Sequence, residues 1–356
     1  MKRFLCVFLT LAFLLCGCAA ESEEVMATEP VTEAATEPTT EPTTAPTEPP
    51  EEHFTISFTG DCTLGSDPRM AYALGSFLSV VGDDVEYPMA NVAHIFSQDD
   101  CTIANMEGVL AENGYAADKL FTFMGPPEYV DILSAGSIEM VTLANNHAFD
   151  FGWPGYNSTT AILEESGIAY AERDSSVVFT TESGLTIGMY ANLFNFDYND
   201  IEAEIAAMKE QGAELIIMAV HWGSEGFYYP HAHQIEQAHK AIDLGVDILY
   251  GNHPHVLQPV EEYGDGIIYY SLGNFCFGGN HNPPDMDTAI LQQEIIRDPE
   301  GNIRLGELTI IPASVSSTEY SNNFQPTPYE EGSEEYQRVI SKLDGSWDGP
   351  NLHVGY

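Results

Sequence analysis

Five times in this chain an apolar run of strand composition is followed at once by side chains able to bind a cation. The joints are Gly60-Asp61, Asn105-Met106-Glu107, Asn145-Asn146-His147, His221-Trp222-Gly223 and Gly251-Asn252-His253-Pro254-His255. In the last, two histidines one residue apart leave a short strand over 247–250 and can point both imidazoles at one centre. The proline between them removes a backbone donor and narrows the backbone choices. One such joint alone is only a loop. Five of them constrain the fold, because they serve one site only if their strands end along a common edge. In open α/β sheets, sites assemble at the carboxyl ends of the strands.

The rest of the pattern agrees. A strand over 54–58 is broken by Thr59-Gly60-Asp61, a helix covers 88–97, and a strand over 101–104 ends at Asn105. Helix 127–135 precedes strand 138–144, and helix 154–166 is stopped by Gly167. Residues 177–190 read as a hairpin turning at Glu182-Ser183-Gly184. Helix 200–211 leads into 214–220, an almost continuous apolar strand of the kind buried on both faces. Helix 230–244, strands 247–250, 266–272, 288–296 and 303–311, and a last surface helix over 333–343 complete the chain. Strands alternating with helices imply an α/β sheet covered by helices.

The 356 residues carry 11 Lys and Arg against 55 Asp and Glu, a net charge of -44. Such a chain repels nucleic acid and anionic surfaces, so DNA or RNA binding is excluded as its work. A polyanionic substrate would have to be held locally, through a metal ion. At the N-terminus, Lys2-Arg3 and the apolar run 4–15 read as an export signal over 1–17, too short to span a bilayer. It ends Leu15-Cys16-Gly17-Cys18, which resembles a bacterial lipobox with Cys18 as the lipid-bearing residue; an ordinary cleaved signal is the alternative. Residues 18–52 form a stalk of Thr-Glu-Pro repeats without the apolar residues a core needs, extended by its prolines. The folded domain is expected over 53–320, followed by a C-terminal extension over 321–356 whose one helix packs on the domain. Cys62, Cys101 and Cys276, left after the leader, are an odd number and imply no disulfide framework.

By residue type, Asp61 and Glu107 offer anionic oxygens, Asn146 an amide oxygen, and His221, His253 and His255 imidazole nitrogens. Mixed oxygen and nitrogen donors suit divalent Mn, Fe, Co or Zn better than Ca. So many ligands exceed the needs of one tetrahedral zinc and fit two metals sharing a carboxylate, roughly 3.5–4 Å apart.

The ordered set, with Tyr270-Ser271-Leu272-Gly273-Asn274-Phe275 after it, resembles the capsule-synthesis protein A (CapA, poly-γ-glutamate capsule) family over about 55–312. That family is regarded as a branch of the calcineurin-like metallophosphoesterases. The resemblance implies a four-layer α/β/β/α sandwich with a dinuclear metal site at the strand ends. It implies that Asp61, Asn146, His221, His253 and His255 are ligands and that His147 is catalytic, acting on the leaving group. Glu107 is expected to bridge the metals, with Asn105 as the alternative. One departure stands out: the wider superfamily begins Asp-x-His, whereas this chain reads Asp61-Cys62-Thr63.

The implied work is in making, exporting or anchoring an anionic surface polymer, with capsule-synthesis membrane proteins as partners and the lipid anchor holding the chain at the cell surface. A metal-dependent hydrolase of the polymer or of a phosphoester, a non-catalytic assembly factor and a general extracellular phosphoesterase all remain open. Asp150 is a candidate to orient His147, or a cap of the next helix. His231 and His233 are expected on different helix faces. Phe227-Tyr228-Tyr229, Trp153 and Trp222 are candidates for the mouth of the site or for the core.

Overall fold

The computed structural model describes residues 50–353. The export signal, Cys18 with its expected lipid, and nearly all of the stalk lie outside the described residues.

In chain order the first half comprises β1 (Glu52–Thr63), α1 (Phe77–Val81), α2 (Ala93–Phe96), β2 (Cys101–Met106), β3 (Val109–Leu110) and β4 (Met124–Gly125). Next come α3 (Val130–Ala135), β5 (Met140–Thr142), α4 (Gly152–Ser166), β6 (Ala169–Ala171), β7 (Ser175–Thr180) and β8 (Thr186–Leu193). The second half adds α5 (Tyr198–Glu210), β9 (Leu215–His221), α6 (Ala232–Asp243), β10 (Ile248–Asn252), β11 (Val260–Tyr263) and β12 (Gly266–Tyr269). It closes with β13 (Asn274–Phe277), β14 (Asp287–Arg297), β15 (Ile303–Ser314), β16 (Thr327–Pro328) and α7 (Glu334–Leu343).

Two sheets carry the fold. One has the order β16-β15-β14-β1-β2-β5-β6, with β13 pairing β1; the other runs β11-β12-β10-β9-β8-β7. The pairs β1–β2, β2–β5, β8–β9 and β9–β10 are all parallel. Side-chain alternation decides how the layers stack. In β9, Leu215, Ile217 and Ala219 face the core between the sheets, where Phe54, Ile56, Phe58 and Ile103 of the other sheet meet them. The alternate residues Ile216, Met218 and Val220 pack on Ile201, Ile205 and Met208 of α5 and Ala238 and Ala241 of α6. On the far side, Ala104, Met106 and Val141 pack against Ile132, Leu133 and Leu163 of α3 and α4. The result is the four-layer α/β/β/α sandwich.

Three expectations need correction. The strand at 54–58 does not break at Gly60-Asp61 but runs to Thr63, with a register shift between Phe58 and Asp61 against β2. A Cβ on Gly60 would lie 2.1 Å from the Gly273 carbonyl, so glycine here permits a close strand contact. The helix over 88–97 shrinks to α2, its first half being a string of turns with Met89 and Val92 buried. Nor is α7 a mere surface helix: its Val339 and Leu343 belong to the core between the sheets.

α7 is also held by charge. Lys342, 2 % exposed, reaches Asp285 at 2.6 Å and Asp287 at 2.7 Å, while Arg338 grips Asp287 with two bonds of 2.7 Å. Burial pushes the Asp287 carboxyl up, but the two cations outweigh it and hold it below the usual carboxylate range. A folded value below the unfolded one of about 3.9 means stability that is present above that pH and lost as pH falls through the folded value. Lys342→Met leaves two buried carboxylates short of a cation. Urea melts at pH 7 should show a loss of about 3–5 kcal/mol, and the gap between wild type and Asp287→Asn should close in acid.

Candidate metal centre

All the joints leave the carboxyl ends of parallel strands and meet where the two sheets come together. In the first sheet, Asp61 pairs in register with Asn105 of β2 on one side and Asn274 of β13 on the other. In the second, His221 ends β9 beside Asn252, the last residue of β10. His253 and His255 then turn with φ of 100° and 56°, backbone that residues other than glycine rarely adopt. The turn is pinned by Trp222 N–H donating to the Asn252 carbonyl at 2.9 Å and Gly226 N–H donating to the Pro254 carbonyl at 2.8 Å.

Glu107 sits at the middle, fully buried, and neither of its carboxylate oxygens has a hydrogen-bond partner. Its nearest nitrogens belong to His221 at 3.6 Å and to His147 and His255 at 3.9 Å. Burial, then the charge of Asp61, pushes the Glu107 carboxyl well above its ordinary value. Burial and the neighbouring imidazoles push His221 well down, and burial followed by His255 lowers His253 to about 4. Burial opposes charge on His255 too, yet Glu107 and Asp61 outweigh it and raise it to about 10. Two of the imidazoles are thus kept in the neutral form that binds metals.

Around this core the amides set orientation. Asn105 donates to Asp61 Oδ1 at 2.7 Å, and its own oxygen accepts from Asn145 at 3.1 Å. Of the two candidates for a bridge, Glu107 therefore has the free oxygens and Asn105 does not. Asn146 Oδ1 lies 2.9 Å from His221 Nε2. His255 Nδ1 faces Asn274 Oδ1 at 3.0 Å and Asp61 Oδ2 at 2.9 Å, leaving Nε2 toward Glu107.

His147 is held on its outer side. Its Nδ1 lies 2.6 Å from Asp150 Oδ2, and that buried carboxylate also takes Lys119 at 2.6 Å and the Phe123 N–H at 2.7 Å. Asp150 therefore orients His147 rather than capping a helix. Burial lowers the His147 pKa, with Asp150 opposing.

Other expectations fare differently. His231 precedes α6 rather than lying within it, so its ring stacks on that of His233 at 5.6 Å instead of facing away. Trp222 is core, donating to the Tyr270 carbonyl at 3.0 Å, and Trp153 is exposed on α4. A cavity of about 330 Å³ opens beside His147 and His255; its aromatic wall is Phe121, Phe123 and Phe277, not the run 227–229. Lys119 and these phenylalanines escaped the sequence reading because no ligand-like pattern marks them, while Asn274, though part of the quoted motif, has no role in that reading. Cys62, Cys101 and Cys276 are buried and free, and Cys62 packs into the helix-side core with Leu64 and Met106.

A buried carboxylate with no partner is costly and rare, and a cation is what its surroundings fit. Asp61, Glu107 and His255 form one group whose ligand atoms lie within 4.8 Å of one another, and Glu107, His221 and His253 form a second. The two groups share Glu107.

The family described as bacterial capsule synthesis protein PGA_cap matches residues 55–279. The chain belongs to that family. Among PGA_cap relatives, the PGA biosynthesis protein CapA of Bacillus subtilis (strain 168) is 27% identical over 276 residues, covering 71% of this chain and 70% of that protein. The capsule biosynthesis protein CapA of Bacillus anthracis is 27% identical over 259 residues, covering 64% of this chain and 60% of its own length. Among solved structures, the NAD nucleotidase NadN of Haemophilus influenzae overlaps with a TM-score of 0.40 at 12% identity, covering 84% of this chain and 56% of that one. The architecture of this PGA_cap chain rests on its own two sheets.

The orphaned carboxylate has a measurable consequence. In chelator the Glu107 pKa is raised on folding, so this group's contribution falls as pH rises above its unfolded value of about 4.3. Glu107→Gln imitates the neutral acid without that penalty. Thermal melts in chelator at pH 7 should show the variant more stable than wild type by about 1–3 kcal/mol, and the order should reverse when a divalent cation is added. A variant that is weaker in both conditions would mean that Glu107 already has a partner.

Proposed function

We propose that this chain works at the cell surface in making, exporting or anchoring an anionic capsule polymer of the poly-γ-glutamate type, through two divalent cations at its strand ends. The names of the two Bacillus relatives support the polymer. The metal reading is carried by one observation: a fully buried Glu107 carboxylate with no hydrogen-bond partner and imidazoles on several sides. In this reading Asp61 and His255 would hold one cation, Asn146, His221 and His253 the other, and Glu107 would be shared between the two sets. Asn105 positions Asp61. The donor set suits Mn, Fe or Zn. When bound, such a pair would supply Lewis acidity. It also makes a positive spot where an anionic substrate can approach a chain of net charge -44.

The chain's own residues complete a hydrolytic site. His147 carries a proton at Nε2 for the leaving oxygen of a phosphoester or the leaving nitrogen of a γ-glutamyl bond, while Asp150 holds Nδ1 and Lys119 holds Asp150. His147→Ala should keep fold and metal but lose about 10²–10⁴-fold in turnover. The loss should be smaller for an activated aryl phosphate ester, whose leaving group needs little protonation. If wild-type protein loaded with Mn or Zn cleaves neither bond class, the hydrolase reading falls. A second reading then takes over, favoured by Thr63 standing where the superfamily has a histidine: a non-catalytic factor that binds the polymer or capsule-synthesis membrane proteins through the same site.

For location, no helix among the described residues is long and apolar enough to cross a membrane. The proposed anchor is a lipid on Cys18, with the domain carried on the outer face of the cytoplasmic membrane by the stalk. Cell fractionation checks this: Cys18→Ala should appear in the medium or remain unprocessed. A normally processed variant that stays with the membrane points to another anchor.

A further inference from the structure

We infer that Glu225 is a further ligand of the centre, approaching it beside His253 and His255; the inference rests on the dinuclear reading above. Two residues beyond Asp61 stands Thr63, fully buried, its hydroxyl donating to the Glu107 carbonyl at 2.8 Å. Cys62 between them packs into the helix-side core with Leu64, Met106 and Cys276. Neither offers an imidazole or an anion. The β1 joint therefore brings no charged or imidazole donor beyond Asp61. The His221 side has Glu107, His221 and His253, with the Asn146 amide oxygen 2.9 Å from His221 Nε2 as a further donor. The Asp61 side has Asp61, Glu107 and His255, with the Asn274 amide oxygen 3.0 Å from His255 Nδ1.

Among the described residues, one further group shares histidines with these two: Glu225, His253 and His255, with ligand atoms within 4.8 Å of one another. Local structure explains how a residue from the β9 loop arrives there. Gly223 and Gly226 flank the segment with φ of 86° and 75°, which fold the chain back after His221. A Cβ on Gly223 would meet the Gln234 amide at 2.8 Å, so the turn is closely packed. Gly226 N–H then donates to the Pro254 carbonyl at 2.8 Å, tying the Glu225 loop to the turn that bears both histidines.

Glu225 also borders the cavity that holds His147 and His255, where a substrate would enter. The other acid on that cavity, Asp285, is already taken, by Lys342 at 2.6 Å and the Tyr228 hydroxyl at 2.8 Å. Glu225 has no such cation among the described residues. A free carboxylate at the entry to an anion-binding site would repel the substrate. As a ligand it is neutralised instead. A further carboxylate makes the centre richer in oxygen donors, which by ligand softness favours manganese.

The test uses the full chain, stripped with chelator and titrated with Mn²⁺ alone by calorimetry, with bound metal counted by elemental analysis. Wild type should take two ions. Glu225→Gln should lose one of them or bind it at least about 10-fold more weakly, while the metal-free protein melts as wild type does. Glu165→Gln, which removes an exposed charge from α4, should change neither number. Unaltered stoichiometry and affinity in Glu225→Gln would overturn the inference while leaving the dinuclear reading in place. Wild type that binds no Mn²⁺, with His253→Ala and His255→Ala no different from it, would overturn both. If Glu225→Gln melts early without metal, Glu225→Asp decides, since it keeps the charge and shortens the reach: weakened binding of one ion supports the assignment, and two wild-type sites refute it.

Discussion

A carboxylate buried without a hydrogen bond is the constraint around which this molecule is arranged. Glu107 stands just past the end of β2, at the line where the two sheets meet, and every strand end that matters points at it. Its charge raises the pKa of His255, and its surroundings keep His221 and His253 low. Its desolvation is tolerable only because several imidazoles face it and because a cation fits among them. Stability has been given up locally for a site, and the large core between the sheets sustains that cost.

That core does more than support weight. Tyr250 of β10 donates across to the Thr59 carbonyl of β1 at 2.5 Å, two residues before Asp61 and three before His253. Phe58 packs on Tyr250 and Tyr269 with ring centroids 5.4 and 5.2 Å apart. Aromatic contacts of this kind fix the offset between the sheets, and with it the separation of Asp61 from His253 and His255. The second half of each ligand group thus comes from a different sheet than the first. The site exists only when the sandwich is closed.

Charge tells a similar story at larger scale. The net charge of -44 belongs to the whole chain, yet the centre is bordered by Lys119, held by Asp150 and the Asn146 carbonyl. In the proposed function, a strongly negative protein would handle an anionic polymer and would need a local inversion of sign. Cations bound at buried strand ends would supply that more effectively than a patch of surface lysines, because they would act where water is excluded.

Much of this was legible in the residues alone. Strand 214–220, helix 154–166 with its glycine stop, and the hairpin at 182–184 follow from periodicity and turn chemistry, which are local. The joints at Asp61, Glu107, Asn146, His221, His253 and His255 were legible because the chemistry sits at strand ends, where sequence order and spatial position coincide. What the chain could not disclose were relations between distant segments. Asn274 reaches Asp61 only through the parallel β1–β13 pairing, Lys119 reaches Asp150 from an irregular loop, and Glu225 approaches His253 and His255 only through a glycine turn. The strand through Gly60 was misread because its glycine answers to the carbonyl of Gly273 across the sheet rather than to its own neighbours. Local propensity therefore determined the elements and the ligand types. Tertiary packing alone decided which ligands share a centre, since distances of a few ångströms between residues more than a hundred positions apart are set by how two sheets stack.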